Sequence, residues 1–140
     1  MERAVVILLI VFAWAQMAAC GCCPDFWTEF NSYCYRSIAE RKTWTTAGSS
    51  CRTFGAELAS IHSSAENDFV YDLWVLPNTH ADTDTFFWSD GTTVDYLRWD
   101  YGEPNNYHNQ DCIQIIKYNK QWNDRACGDM LAYVCKKPLE

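Results

Sequence analysis

The sequence is poor in several features that mark particular classes of protein. Lysine and arginine number 11 against 18 aspartates and glutamates, and no basic cluster is present. This balance argues against nucleic acid and anionic lipid as partners and suits cation binding better. The histidines, His62, His80 and His108, lack spacing such as His-Glu-x-x-His, and no serine or cysteine nucleophile motif accompanies them. We therefore expect no enzyme, and a hydrolase using these histidines is the alternative.

Long apolar runs are missing after residue 19. Residues 4–19 form one apolar run behind Arg3, too short to span a bilayer comfortably and ending in small residues. This pattern predicts a secretory signal over residues 1–21, with a membrane anchor as the alternative. The mature domain, residues 22–140, is then expected to be secreted and extracellular, without membrane insertion.

Cysteine, by contrast, is abundant. The chain has 8 cysteines, which in a secreted domain imply a disulfide framework. Cys20 leaves with the signal, so an odd number remains, and one thiol stays free, pairs with a small thiol or joins another chain. Cys22 and Cys23 point to opposite faces of an extended segment, so only one reaches Cys34 easily. We hypothesise a Cys23–Cys34 bond and a Cys22 bond to a partner subunit, giving a disulfide-linked homodimer.

The apolar patterns predict an α+β domain. Helices are expected from Trp44 to Phe54, ended by Gly55, and over 64–73, behind the capping box Ser63-x-x-Glu66. Strands are expected at 32–37, 113–116 and 131–135. A hairpin is expected between 85–88 and 94–99, around the turn Ser89-Asp90-Gly91.

Oxygen-bearing side chains concentrate late in the chain, in Glu103-Pro104-Asn105-Asn106 and Trp122-Asn123-Asp124. The two clusters can meet only if their loops are held together, and a Cys112–Cys127 bridge would hold them. Oxygen donors without thiolate or imidazole suit a hard cation, most naturally Ca²⁺. The pattern predicts a binding module, whereas an ordinary surface turn is the alternative for Glu-Pro-Asn-Asn alone.

Several motifs carry a family resemblance. They are Cys23-Pro24-x-x-Trp27, Cys34-Tyr35, Trp44 to Cys51, Gly55-Ala56-x-Leu58, Phe87-Trp88-Ser89-Asp90-Gly91, Gly102-Glu103-Pro104-Asn105, Trp122-Asn123-Asp124 and Tyr133-Val134-Cys135. On these motifs residues 23–137 resemble a C-type lectin domain of the long form. The opening Gly21-Cys22-Cys23-Pro24 is similar to that of secreted single-domain lectins of invertebrate body fluids.

The resemblance implies a complete set of expectations. The fold has two helices flanking two small antiparallel sheets, a long calcium-binding loop and the bridges Cys23–Cys34, Cys51–Cys135 and Cys112–Cys127. Calcium and sugar are held by one set of side chains: Glu103, Asn105, Gln110, Asn123 and Asp124. The Glu103–Pro104 bond is cis, and Trp122 is a core anchor.

The resemblance also implies partners. Glu-Pro-Asn accompanies mannose-type ligands in the family, so mannose, N-acetylglucosamine or fucose on microbial or cell-surface glycans is expected. The protein would act as an innate-immune lectin or agglutinin. A member of the same fold that binds protein, mineral or ice surfaces is the alternative.

Departures from the family pattern weaken some expectations. Gln110 stands where the family usually has an acid, so calcium should bind less tightly, although Asp111 could compensate in part. The Trp-Ile-Gly-Leu motif is missing, and Trp74 is its nearest match. Acids of an accessory calcium site are mostly replaced, for example at Thr79 and Thr83, so a second ion is not expected.

Overall fold

The computed structural model describes residues 21–73, 79–82 and 85–139. Residues 1–20 of the predicted signal segment, Trp74 and Thr83 lie outside these residues. No helix of the described part is long and apolar enough to cross a membrane. The elements are β1 (Thr28–Phe30), β2 (Tyr33–Lys42), α1 (Trp44–Arg52), β3 (Glu57–Leu58), α2 (Ser64–Asp72), β4 (Thr79–Asp82), β5 (Thr85–Phe86), β6 (Cys112–Ile115), β7 (Trp122–Arg125) and β8 (Leu131–Pro138).

The strands form two small antiparallel sheets. The first has the order β1-β2-β8-β3 and the second the order β5-β4-β6-β7. In the first sheet β2 pairs with β8 in the register Tyr33↔Pro138 to Ile38↔Tyr133, so the beginning and the end of the domain lie side by side. The predicted α+β fold with two helices and two small sheets is confirmed.

Both predicted helices are present, each slightly shorter than expected. Gly55, with φ of 65°, follows the end of α1 and supplies the left-handed conformation that such an end favours. Ser63 caps α2, its Oγ accepting from the Glu66 N–H at 3.1 Å. The Glu66 carboxylate, however, accepts from Lys136 Nζ at 2.7 Å and from the Tyr35 hydroxyl at 2.5 Å. Glu66 Oε1 therefore ties α2 to β8 and β2, while its Oε2 accepts from the His62 N–H at 2.7 Å, one residue before the Ser63 cap.

The predicted hairpin between 85–88 and 94–99 is wrong. β5 pairs with β4, not with the later segment. Residues 94–99 form no strand, apart from an isolated bridge between Trp99 and Trp122. Val94, Tyr96 and Trp99 pack instead against the larger hydrophobic cluster. The alternating pattern of this segment reflects burial of every second or third side chain, not pairing with a neighbouring strand.

Disulfides fasten three places in the fold. The Cys23–Cys34, Cys51–Cys135 and Cys112–Cys127 bonds are all formed, as the resemblance implies. Cys22 is disulfide-bonded as well, and no cysteine of the described residues is a free thiol. A bond from Cys22 to a second chain stays a prediction, since a single chain does not test it.

Candidate functional site

Trp122 anchors the strand that carries half of the predicted site. Its side chain is fully buried, and its Nε1–H donates to Asn67 Oδ1 at 2.7 Å. The rings of Trp88, Tyr96 and Trp99 meet it edge-on at 5.9, 5.6 and 5.9 Å. Trp122 is thus the core anchor that the sequence predicts, and the residues that follow it project from a rigid strand.

The other half of the predicted site lies on an irregular loop. Gly102, with φ of 83°, precedes Glu103, and the Glu103–Pro104 peptide bond is cis. Asn105 Nδ2 donates to Glu103 Oε1 at 2.8 Å, and Asn105 Oδ1 accepts from the Tyr107 N–H at 2.8 Å. These two bonds hold the carboxylate and the amide of the loop next to each other.

Asn106 joins the loop to the strand. Its N–H donates to Asp124 Oδ2 at 2.5 Å, and its Oδ1 accepts from the Gln110 N–H at 2.9 Å. Asn106 has a φ of 49°, a left-handed conformation that asparagine adopts more readily than most residues. Sequence reasoning overlooked this bracing role, and the tolerance of asparagine for left-handed turns was the available signal.

The carboxylates of Glu103 and Asp124 interact with each other, and each has one oxygen atom that accepts no hydrogen bond from the described residues. Asp124 is fully buried, and among the described residues neither Asp124 Oδ1 nor Glu103 Oε2 has a hydrogen-bond partner. Burial, followed by the interaction with Asp124, raises the pKa of Glu103 above its ordinary value. Like charges held together in this way would be relieved by a cation. The site therefore fits a hard, oxygen-binding metal ion.

The remaining predicted ligands are less closely engaged. Asn123 follows Trp122 on β7, and its Nδ2 donates to the Asp124 carbonyl at 2.5 Å. Gln110 contacts the loop through its backbone N–H, and within the described residues its side chain is hydrogen-bonded to none of the other four. Asp111 is held by Asn109 Nδ2 at 3.0 Å. Contacts in the described part of the chain link Glu103 with Asn105 and Asp124, and Asn123 is bonded to the Asp124 carbonyl, whereas Gln110 joins the loop through its backbone.

The loop and the strand share a covalent support. Cys112 on β6 is bonded to Cys127, just after β7, and the two strands pair in the register Ile113↔Asp124 and Gln114↔Asn123. Among the described residues no group of three or more His, Cys, Asp or Glu side chains could hold a metal. The candidate site has two carboxylates and would rely on amide oxygens for the rest.

The fold and the site define a class of protein: a disulfide-bonded domain with an oxygen-rich loop site beside its second sheet. The sequence profile described as "Lectin C-type domain" matches residues 40–137. The chain belongs to this family of C-type lectin domains, whose members are binding modules and not enzymes.

Two curated relatives illustrate the range of the family. C-type mannose receptor 2 of Homo sapiens is 36% identical over 125 residues, which cover 82% of this chain and 8% of the receptor. This chain therefore spans a small fraction of the receptor's length. The alpha-N-acetylgalactosamine-specific lectin of Patiria pectinifera is 35% identical over 154 residues, covering 93% of this chain and 92% of that lectin.

Two solved structures are also similar. The structure of a calcium-independent type II antifreeze protein has a TM-score of 0.79 and 32% identity, covering 85% of this chain and 96% of the other. The cow carbohydrate-recognition domain of CD23, solved in the presence of a GlcNAc2Man3 oligosaccharide, has a TM-score of 0.77 and 31% identity, covering 86% and 99%. Similar structures thus include both sugar-binding and calcium-independent members.

Proposed function

We propose that this domain binds sugars through a calcium ion held by Glu103, Asn105, Gln110, Asn123 and Asp124. The observation that supports it best is a pair of buried carboxylate oxygens, on Glu103 and Asp124, that accept no hydrogen bond from the described residues. When bound, calcium would leave coordination positions open to two vicinal sugar hydroxyls, since it accepts up to about eight oxygens. The role of the protein is to place acceptors and amide donors around those hydroxyls.

The sugar class follows from the loop. Glu103-Pro104-Asn105 is the mannose-type motif of the family, so mannose, N-acetylglucosamine or fucose is the proposed ligand. The held pair of Glu103 and Asn105 offers one acceptor and one donor to adjacent hydroxyls. The names of the relatives point both ways, to mannose in one and to N-acetylgalactosamine in the other. The proposed sugar specificity therefore rests on the Glu-Pro-Asn motif and not on the names of the relatives.

A column experiment tests the proposal. The protein should be retained on mannan-agarose in calcium and released by EDTA, and it should ignore galactose-agarose. Asp124→Asn should abolish retention because it removes a fully buried carboxylate of the site. The matched control is Asp72→Asn, which makes the same change at an exposed carboxylate on α2 that accepts from Lys120 Nζ at 3.4 Å. Retention on galactose beads alone would refute the specificity, and retention unaffected by EDTA would refute the calcium mechanism.

A second candidate function is a calcium-independent surface binder. The observations that favour it are the similarity to a calcium-independent antifreeze protein and the amide at Gln110, which leaves two carboxylates in the proposed ligand set. Such a protein would slow ice recrystallisation equally with and without EDTA and would not bind any column sugar. The two candidates are thus distinguished by the effect of EDTA.

The proposed setting is extracellular. Residues 1–21 would be removed as a signal, leaving 22–140 as the secreted domain, and N-terminal sequencing of the secreted protein checks this. A single site of this kind binds sugars weakly, so agglutination of microbes would require several sites acting together. Mixing the secreted protein with yeast in calcium, with EDTA as control, tests the innate-immune role.

A further inference from the structure

A cavity is lined by residues near the start and the end of the domain. It has a volume of about 410 Å³ and is bounded by the loop after α1, the edge strand β3, the turn at Asp90 to Thr92 and the ends of β2 and β8. Ligand pockets in proteins commonly hold about 300–1,000 Å³. None of its lining residues belongs to the proposed calcium and sugar ligands.

Two charged side chains of the cavity wall, Lys136 and Asp90, already form hydrogen bonds within the protein. Lys136 Nζ donates to Glu66 Oε1 at 2.7 Å and to Ser60 O and Oγ at 3.1 and 3.2 Å, so its three protons are used. Asp90 accepts from Ser60 Oγ at 2.5 Å and from the Thr92 N–H and hydroxyl at 2.9 and 2.6 Å. These two charges build the wall and are not available to a ligand.

Two other cations of the lining keep free donors. Arg52 donates through Nε to Glu57 Oε1 at 3.0 Å, and its side chain is 54% exposed. The carboxylate of Glu57 thereby fixes the guanidinium by its inner nitrogen, and the two outer amino groups can bind something else. Lys137 Nζ lies 5.1 Å from the centre of the Trp27 ring, and no acceptor among the described residues is bonded to it.

The charge and shape of the lining select a ligand class. Its fixed charges are three cations, Arg52, Lys136 and Lys137, and two carboxylates, Glu57 and Asp90. Glu66, bonded to Lys136 at 2.7 Å, balances the third cation. The wall is therefore close to neutral in a chain of net charge −7, and the donors that remain for a ligand are those of Arg52 and Lys137. Outer guanidinium nitrogens match the planar or tetrahedral oxygens of carboxylates and sulfates. Tyr33 also lines the cavity and is partly exposed. Lys136 Nζ covers one face of its ring at 4.4 Å, which leaves the other face for a sugar ring.

We propose that this cavity binds a carboxylate or sulfate group carried by an acidic saccharide, independently of calcium. Arg52 would hold the anionic oxygens through its outer nitrogens, Lys137 would add a second positive charge, and Tyr33 would cover one face of the sugar. The domain would then recognise acidic glycans at a place separate from its proposed neutral-sugar site.

Calorimetry on the secreted protein in EDTA and physiological salt tests this proposal. The probes are a sulfated heparin disaccharide, a galacturonate disaccharide, neutral cellobiose and sodium sulfate. We expect at least one acidic disaccharide to bind and cellobiose not to bind. Binding of the sulfated probe but not galacturonate would assign the group as sulfate, and the reverse result as carboxylate. Binding of free sulfate alone, with neither disaccharide, would refute the saccharide assignment.

Variants locate the binding. Arg52→Gln should weaken binding of the acidic saccharide about tenfold or more, since a charged hydrogen bond is lost. Lys137→Gln should weaken the same binding by a smaller factor. Arg52→Lys should have an intermediate affinity for the saccharide, because the positive charge remains but the paired N–H donors of the guanidinium are lost. Arg41→Gln, on β2 but outside the cavity, is the charge-matched control and should leave affinity unchanged. Equal loss with Arg41→Gln, or loss with Glu103→Gln, would overturn the proposal. Thermal melting of each variant shows that it is folded.

Discussion

Removal of the Asn67 side chain is the sharpest test of how the core holds the site. Asn67 is fully buried on α2, accepting from Trp122 Nε1 at 2.7 Å and donating through Nδ2 to the Lys120 carbonyl at 3.0 Å. Asn67→Ala leaves a buried indole N–H without a partner and frees one carbonyl. An unsatisfied buried donor costs about 1–3 kcal/mol and a lost neutral bond about 1 kcal/mol. We therefore expect a loss of about 3 kcal/mol in the free energy of unfolding.

Urea unfolding followed by tryptophan fluorescence measures this loss, with the disulfides kept intact. In thermal melts the same change corresponds to a decrease in Tm of about 10 °C for a domain of this size. Asn119→Ala is the matched control. In the part of the chain that the structure describes, the Asn119 side chain bonds to Gln121 alone, at 2.9 and 3.0 Å, and both residues are half-buried. The control should lose less than about 1 kcal/mol, since water can replace such bonds.

A double-mutant cycle with Trp122→Phe isolates the contact between the two side chains. Removing the indole N–H should make the further Asn67→Ala change milder, giving a coupling energy of about 1–2 kcal/mol. If Asn67→Ala and Asn119→Ala cost the same, or if the cycle shows no coupling, the reasoning that Trp122 is locked through Asn67 is refuted.

Three further predictions concern the site and the acid stability of the domain. Gln110→Glu adds a charge to the proposed ligand set and should lower the dissociation constant for calcium about tenfold, since the added attraction is of the order of one solvated charge interaction. An unchanged calcium affinity in calorimetry would exclude Gln110 as a ligand. Burial acts to raise the pKa of Asp90, but hydrogen bonds from Ser60 and Thr92 outweigh it and hold that pKa below its ordinary value of 3.8. The stability that this carboxylate contributes is present above pH 3.8 and is lost as the pH falls further. The Tm of Asp90→Asn should therefore decrease less between pH 4 and pH 2 than that of the unmodified protein. Parallel curves of Tm against pH for the two proteins would contradict this. Replacing Cys112 and Cys127 together by alanine opens a loop of 15 residues and should cost about 3 kcal/mol in urea unfolding, whereas a negligible cost would show that strand pairing alone holds β6 and β7.

Local patterns predicted the helices well because their signals act within one turn. The Ser63 cap and the Gly55 stop depend on the conformations of adjacent residues, and both are present. The role of Glu66 could not be read from the same window. Two of its partners, Lys136 and Tyr35, are 70 and 31 residues away in sequence, so only the fold could show that the residue joins the core as well as the helix entry at His62.

The same distinction explains the failed hairpin and part of the site. Alternation over 94–99 reports which side chains are buried, but it does not report whether a strand lies alongside, and here the aromatics pack against Trp122. In the site, the proximity of Glu103 and Asn105 follows from two residues of separation. The bond from Asn106 to Asp124 spans 18 residues and depends on how the loop folds back onto β7.

The fastening of Trp122 in the core has a consequence for how this protein can diversify. Asn123 and Asp124 are carried by a strand whose displacement would disturb the packing of the whole interior, so this part of the proposed recognition surface is expected to tolerate few changes. Residues 103–110 are held mainly by bonds among themselves and one bond to Asp124. Random libraries restricted to that loop should thus yield folded proteins with new preferences, whereas libraries at 122–124 should yield mostly unfolded ones.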